Sequence, residues 1–214
     1  MKKWLEKVDW IYVIVPLALL GTFWVIAAFA GQWPWQSNPY NSYALQTDSW
    51  LKGRLDLGQD YPWLELAIYQ GKYFVSFPPF PSYVLIPFVM IFGTNTPDHL
   101  IALLVTIAGC VYAIKLYREV SLEKQHALFW VLMLYFASGY LFVGMNGYVW
   151  FIAQSMSFTL SLMALYYALR QKGGLSLAFW ACAVGCRPML ALYGILLGYL
   201  LVKGYKKENP EGTV

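Results

Sequence analysis

The chain reads as an all-α integral membrane protein. We expect about five or six transmembrane helices, the last two short, and a long outer first loop carrying interfacial helices. Three observations lead there. Of its 214 residues 59% are hydrophobic and only 12% charged, against roughly 25% charged in soluble domains. Several uncharged runs approach the ~20 residues that cross a hydrocarbon core. The basic residues fall in short tracts beside those runs, as membrane topology signals do. The net charge of +4 therefore points to a bilayer and gives no reason to invoke nucleic acid.

A single membrane domain over residues 1–214 follows: a first transmembrane helix over 10–30, an outer loop over 31–98, a helix bundle over 99–202 and a cytoplasmic tail over 203–214. The opening MKKWLEKVDW and the apolar run to Ala30 imitate a signal peptide. That run is longer than the ~7–15 residue signal core, so an uncleaved helix is expected. Lys2, Lys3 and Lys7 put its start in the cytoplasm.

Further apolar runs lie at Ser82–Phe92, His99–Leu116, Ala127–Val143, Tyr148–Leu169 and Leu175–Val202. The first of these follows Pro78, Pro79 and Pro81 and as a helix rises only roughly 17 Å, well short of a ~30 Å core. The last would rise roughly 42 Å and is interrupted by Pro188. If every run crossed once, the tracts Lys115/Arg118/Lys124 and Arg170/Lys172 would lie outside, inverting the positive-inside rule twice. If Ser82–Phe92 is an interfacial or re-entrant helix, and the last run is two short helices meeting at Cys186-Arg187-Pro188, all these tracts and Lys203/Lys206/Lys207 become cytoplasmic. The second arrangement is preferred. It puts 31–98 and Arg187 on one outer side of a multi-pass protein of the cytoplasmic membrane.

Within the outer segment, Asn41–Leu57 has helical spacing at Leu45, Trp50 and Leu51 until Gly53 and Gly58 break it. Pro62–Gln70 is expected to form a second short helix ending at Gly71. Trp33, Trp35, Trp50 and Trp63 suit a segment lying along the headgroups. Gly194-x-x-x-Gly198 and Ala181-x-x-x-Gly185 read as close helix contacts.

Candidate chemistry is sparse. Arg187 is the single charge in the run Gly173–Val202, and an arginine at bilayer depth costs at least ~2.5 kcal/mol, so it usually faces a cavity or a partner. Its planar fork suits a phosphate; pairing with an outer acid or snorkelling to the interface are the structural readings. Four of the eleven acids lie between Gly31 and Phe80. Asp48, beside Leu45 and Trp50, reads as a general base or as a solvated loop acid. Asp56 is expected to pair with Arg54 or Lys52. Glu65 reads as a contact to a substrate hydroxyl or to a loop, Lys72 as a second outer cation, and Asp98 as a helix cap. Cys110, Cys182 and Cys186 lie in apolar segments and read as packing residues, with no disulfide expected. His99 and His126 lie near no likely catalytic or binding position, and no phosphate loop, zinc motif or Ser/His/Asp set is present. No metal or cofactor is called for.

Taken in order, TDSWLKGRLDL, then LELAIYQGKYFVSFPPFPSYVLIPFVMIFG, then GCRPM resemble the membrane glycosyltransferases of the GT-C superfamily, particularly bacterial relatives of protein mannosyltransferases. The resemblance spans nearly the whole chain through loose motifs. It implies transfer of a sugar from a polyprenyl-phosphate donor to an acceptor hydroxyl on the outer face. Asp48, five residues before Gly53-Arg54, matches the family's catalytic acid, Pro78-Pro79 its double proline, and Arg187-Pro188 its basic residue beside a proline. On that reading Arg187, Lys72, Glu65, Arg54 and Asp56 contact substrate. Such enzymes run to several hundred residues, so the chain reads as their N-terminal module. The alternatives are a non-catalytic protein that binds or translocates lipid, and an accessory subunit of a larger transferase or oligomer.

Overall fold

The computed structural model describes residues 9–31 and 33–208. Lys2, Lys3 and Lys7 and the tail beyond Glu208 lie outside the described residues, as do the side chains of Lys124 and Lys206. Helix α1 (Ile11–Ala30) buries one face, Ile11, Val15, Leu19, Phe23 and Ala27, at the four-residue spacing of a helix stripe. Its other faces stay apolar yet exposed, as at Val25 and Phe29. It ends at Gly31, whose φ of 66° is the left-handed C-terminal geometry that glycine adopts without strain.

Two long helices form the centre. Helix α4 (Asp98–Val120) packs along α7 (Val149–Leu169), tied by the hydroxyl of Thr159 donating to the Val105 carbonyl. Between them in sequence, the run expected as one helix breaks into α5 (Ala127–Phe136) and α6 (Tyr140–Met145). The Ser138 hydroxyl donates to the Leu134 carbonyl at 2.6 Å and accepts the Tyr140 N–H at 3.1 Å, and such local bonds compete with a continuous helix. Gly139 adds conformational freedom at the same point.

The last apolar run folds as an antiparallel pair, α8 (Gly173–Cys186) and α9 (Tyr193–Glu208), joined by a 3₁₀ turn at Pro188–Leu192. Proline disfavours helical backbone in the residue before it, and Arg187 is extended at φ −144°, ψ 104°. Trp180 closes the pair by donating its indole N–H to the Leu190 carbonyl at 2.8 Å, and Gln171 reaches the Leu200 carbonyl at 3.3 Å. The break expected at Cys186-Arg187-Pro188 is thus present. Among the described residues four stretches, Ile11–Ala30, Asp98–Val120, Val149–Leu169 and Pro188–Tyr205, are long and apolar enough to cross a membrane.

A smaller layer covers one end of the bundle. Helix α2 (Ser42–Leu51) lies on α3 (Phe80–Phe92), where the Thr47 hydroxyl donates to the Ser82 carbonyl and the Ser82 hydroxyl to Gln46. The helix expected over Pro62–Gln70 is instead a β-hairpin of β1 (Leu66–Tyr69) and β2 (Lys72–Val75), antiparallel with Tyr69 opposite Lys72. Ile68, Tyr69, Tyr73, Phe74 and Val75 are β-formers. Gln70 and Gly71 both have positive φ, 50° and 72°, the pattern of a two-residue hairpin turn. Among the described residues the fold is therefore helical with one two-stranded sheet.

At the end opposite the layer, Arg118 pairs with Asp9, Arg170 lies 3.3 Å from Glu119, and Lys115 sits over Tyr112.

Candidate functional site

Arg187 sits at the tip of the α8–α9 pair, under the covering layer. One guanidinium nitrogen, Nη2, donates to the Trp150 carbonyl at 2.7 Å. Its Nε is buried with no partner among the described residues. No carboxylate among them pairs with this guanidinium, which sets it apart from a buried ion pair. The hydroxyl of Tyr43 is a second buried, unpaired polar atom. Tyr43 is 2% exposed and packs in one cluster with Cys186. Burial pushes its phenol pKa above the ordinary range while the nearby Arg187 charge draws it down. A helical position on α2 puts Tyr43 there, and nothing in its sequence neighbourhood marks it.

Trp150, in the first turn of α7, joins Arg187 to the layer. Its indole N–H donates to Glu65 Oε2 at 3.3 Å, and its ring centroid is 5.3 Å from that of Tyr40. Glu65 and Arg187 thus meet on opposite polar groups of one tryptophan.

Asp48 opens onto a different space, a polar cleft of about 210 Å³ that it lines with Ser49, Lys52, Arg54, Gln59 and Tyr61. Its carboxylate is 2.7 Å from Lys52 Nζ, one helix turn on; such an exposed pair contributes only ~0.3–0.5 kcal/mol. The Arg54 guanidinium lies against Gly58, where a side chain would collide with it. Asp56 pairs with neither Arg54 nor Lys52: it accepts the Gly58 N–H at 3.2 Å and stands 3.7 Å from Lys72 at the hairpin turn. Asp48 shares its cleft with Arg54, Glu65 meets Arg187 through Trp150, and Asp56 holds Lys72. No direct bond joins Asp48 to Arg187 among the described residues. Helix α2 connects their surroundings, since Tyr43 and Asp48 are five residues apart on it, about 7.5 Å along the axis.

The cap position expected at Asp98 falls on Pro97, and Asp98 stands in the first turn of α4; its carboxylate accepts the Asn38 amide at 2.9 Å, and the same amide reaches the Gly147 carbonyl at 3.1 Å. Gly147 donates its N–H to His99 Nδ1 at 3.2 Å. Asn38, Asp98 and His99 are buried, so this knot pins the segment before α2 to the starts of α4 and α7. Among the described residues no group of three metal-ligating side chains occurs, and Cys110, Cys182 and Cys186 are free thiols.

Neither a known protein family, a curated protein nor a solved structure matches this chain.

Proposed function

We propose that the chain is a polyprenyl-phosphate-dependent sugar transferase of the GT-C kind, or the N-terminal module of one, acting on the outer face of the cytoplasmic membrane. The observation that carries this reading is Arg187: a half-buried guanidinium at a helix break, with one nitrogen satisfied by Trp150, Nε buried and unpaired, and no carboxylate partner among the described residues. Six segments run between the two faces in this scheme: α1, α4, the broken α5–α6, α7 and the short α8 and α9. The end holding Arg118 and Arg170 faces the cytoplasm.

The donor's phosphate binds Arg187. Asp48 takes the proton from an acceptor hydroxyl as its oxygen attacks the anomeric carbon. The bond from that carbon to the phosphate oxygen breaks with inversion, and the fixed guanidinium stabilises the departing phosphate in a low-dielectric setting. Arg54 and Tyr61 supply polar contacts to the sugar or acceptor in the Asp48 cleft, and Glu65 orients Trp150. Lys72 and Asp56 hold the hairpin beside it.

Donor-lipid affinity and detergent melting of Arg187 variants test the phosphate role. Arg187→Lys keeps the charge without the fork and weakens binding; Arg187→Met removes it while leaving melting near the parent value. A large melting loss with unchanged affinity would make Arg187 structural. A second reading, a non-catalytic lipid-binding or lipid-translocating protein, is favoured by the close Asp48–Lys52 pair, which gives the proposed base a cation as its partner.

A further inference from the structure

The four stretches long enough to cross a membrane contain a single carboxamide side chain, Gln154 on α7. It lies five residues past Val149, about 7.5 Å inside the end of the helix that meets the layer. The side chain is exposed, and no hydrogen bond to its amide is found among the described residues. Its own helix offers no easy substitute, since the Trp150 carbonyl one turn back already accepts Arg187. The hydroxyls further along α7 differ. Ser157 donates to the Gln154 carbonyl at 2.9 Å and Ser161 to the Ser157 carbonyl at 2.8 Å, so both are satisfied within the helix. Gln154, Phe158, Ser161 and Leu165 follow the alternating four- and three-residue spacing of a seam between helices. Beside that seam, Phe158, Ser161, Leu162, Leu190 and Tyr193 line an open groove of about 310 Å³.

We infer that this face of α7 pairs two copies of the chain in the bilayer, the Gln154 amide of one meeting that of the other across a two-fold axis along the membrane normal. The inference uses neither Arg187 nor Asp48 and goes beyond the transferase reading. A carboxamide carries two N–H donors and an acceptor, and hydrocarbon satisfies none of them. A lipid chain lying on the seam leaves the amide unmatched. A second copy matches it without any further coincidence of sequence. Inserted in the same orientation it holds Gln154 at the same depth, and each amide can donate to the carbonyl of the other, the self-complementary contact of a two-fold interface. One polar residue in an otherwise apolar seam also fixes register and partner number. Ser161, about 10.5 Å further along, is small enough to let the copies approach. The axis keeps the two covering layers on one side of the membrane.

The test is energy transfer between copies of the full chain carrying donor or acceptor fluorophores at the N-terminus, in phosphatidylcholine vesicles over a range of protein-to-lipid ratios. The parent is expected to pair, and Gln154→Leu to pair about three- to tenfold more weakly. Gln154→Ala repeats the measurement on a second substitution, with melting in detergent as the check on folding. Oxidative cross-linking locates the contact independently: Gln154→Cys is expected to give a covalent dimer above the background of the parent's three thiols. Ile195→Cys, on α9 and 74% exposed, is expected to add nothing. A parent that shows no transfer beyond random proximity at any ratio would overturn the inference, and so would equal pairing by the parent and either folded variant. Equal cross-linking at positions 154 and 195 would place the contact elsewhere and overturn it. A monomeric parent whose affinity for a polyprenyl phosphate falls in Gln154→Leu would assign the face to lipid, again against the pairing. None of these results bears on the Arg187 reading except the last, which would extend it.

Discussion

At the residue scale, Tyr43 carries information that its neighbours in sequence do not. A buried hydroxyl without a partner costs about 1–3 kcal/mol, and Tyr43 sits in that condition, within the electrostatic reach of Arg187, whose Nε is also unpaired. If a ligand oxygen completes both donors, Tyr43→Phe should weaken binding of a polyprenyl phosphate about tenfold. The ligand-free protein should melt no lower and gain up to about 1 kcal/mol. Affinity preserved in Tyr43→Phe would remove Tyr43 from the site. Arg187 is legible in the sequence because an isolated charge in an apolar run has few explanations, and Pro188 beside it marks the break. Tyr43 is not, because one tyrosine among 17 acquires meaning only from what a fold sets against it. Asp48 is legible as a candidate, but its pairing with Lys52 follows from helical spacing that single positions do not display.

At the element scale, the runs over Trp10–Ala30, His99–Leu116 and Tyr148–Leu169 mark α1, α4 and α7 because length and hydropathy alone determine a helix in an apolar setting. The hairpin is hidden for a physical reason. Leu64, Glu65, Leu66 and Ala67 all favour helix. The segment LAIYQGKYFV is also short enough that helix and strand periods overlap, leaving the Gln70-Gly71 turn to decide. The break at Ser138 is equally hidden because it depends on one hydroxyl bonding back to its own helix. Gly147 shows how tightly elements can meet: a Cβ there would strike the backbone of Asp98 and His99 at the start of α4. Gly147→Ala should therefore destabilise the protein by about 1–3 kcal/mol, read as a lowered melting temperature in detergent. Gly174, with nothing near its missing side chain, provides the control, and equal effects at both glycines would contradict the close approach.

At the scale of the whole molecule, the covering layer and Arg187 share one end of the bundle, and Arg118, Arg170 and Lys115 share the other. With the second end cytoplasmic, cysteine introduced at Gln59 should react with impermeant reagent in intact cells, and cysteine at Gln125 only after lysis. The reverse pattern would invert the topology and remove the outer site. Catalysis makes a stronger demand, because the Asp48 cleft and the Arg187 tip must serve one substrate although no direct bond joins them among the described residues. Transfer of radiolabelled sugar from a polyprenyl-phosphate donor to an acceptor hydroxyl, measured with the parent chain and Asp48→Asn, tests this most directly. The expected result is transfer by the parent and a loss of about 10²–10⁴ in rate in Asp48→Asn, with donor binding retained. Donor binding without transfer by the parent, or equal rates for the two proteins, would contradict it.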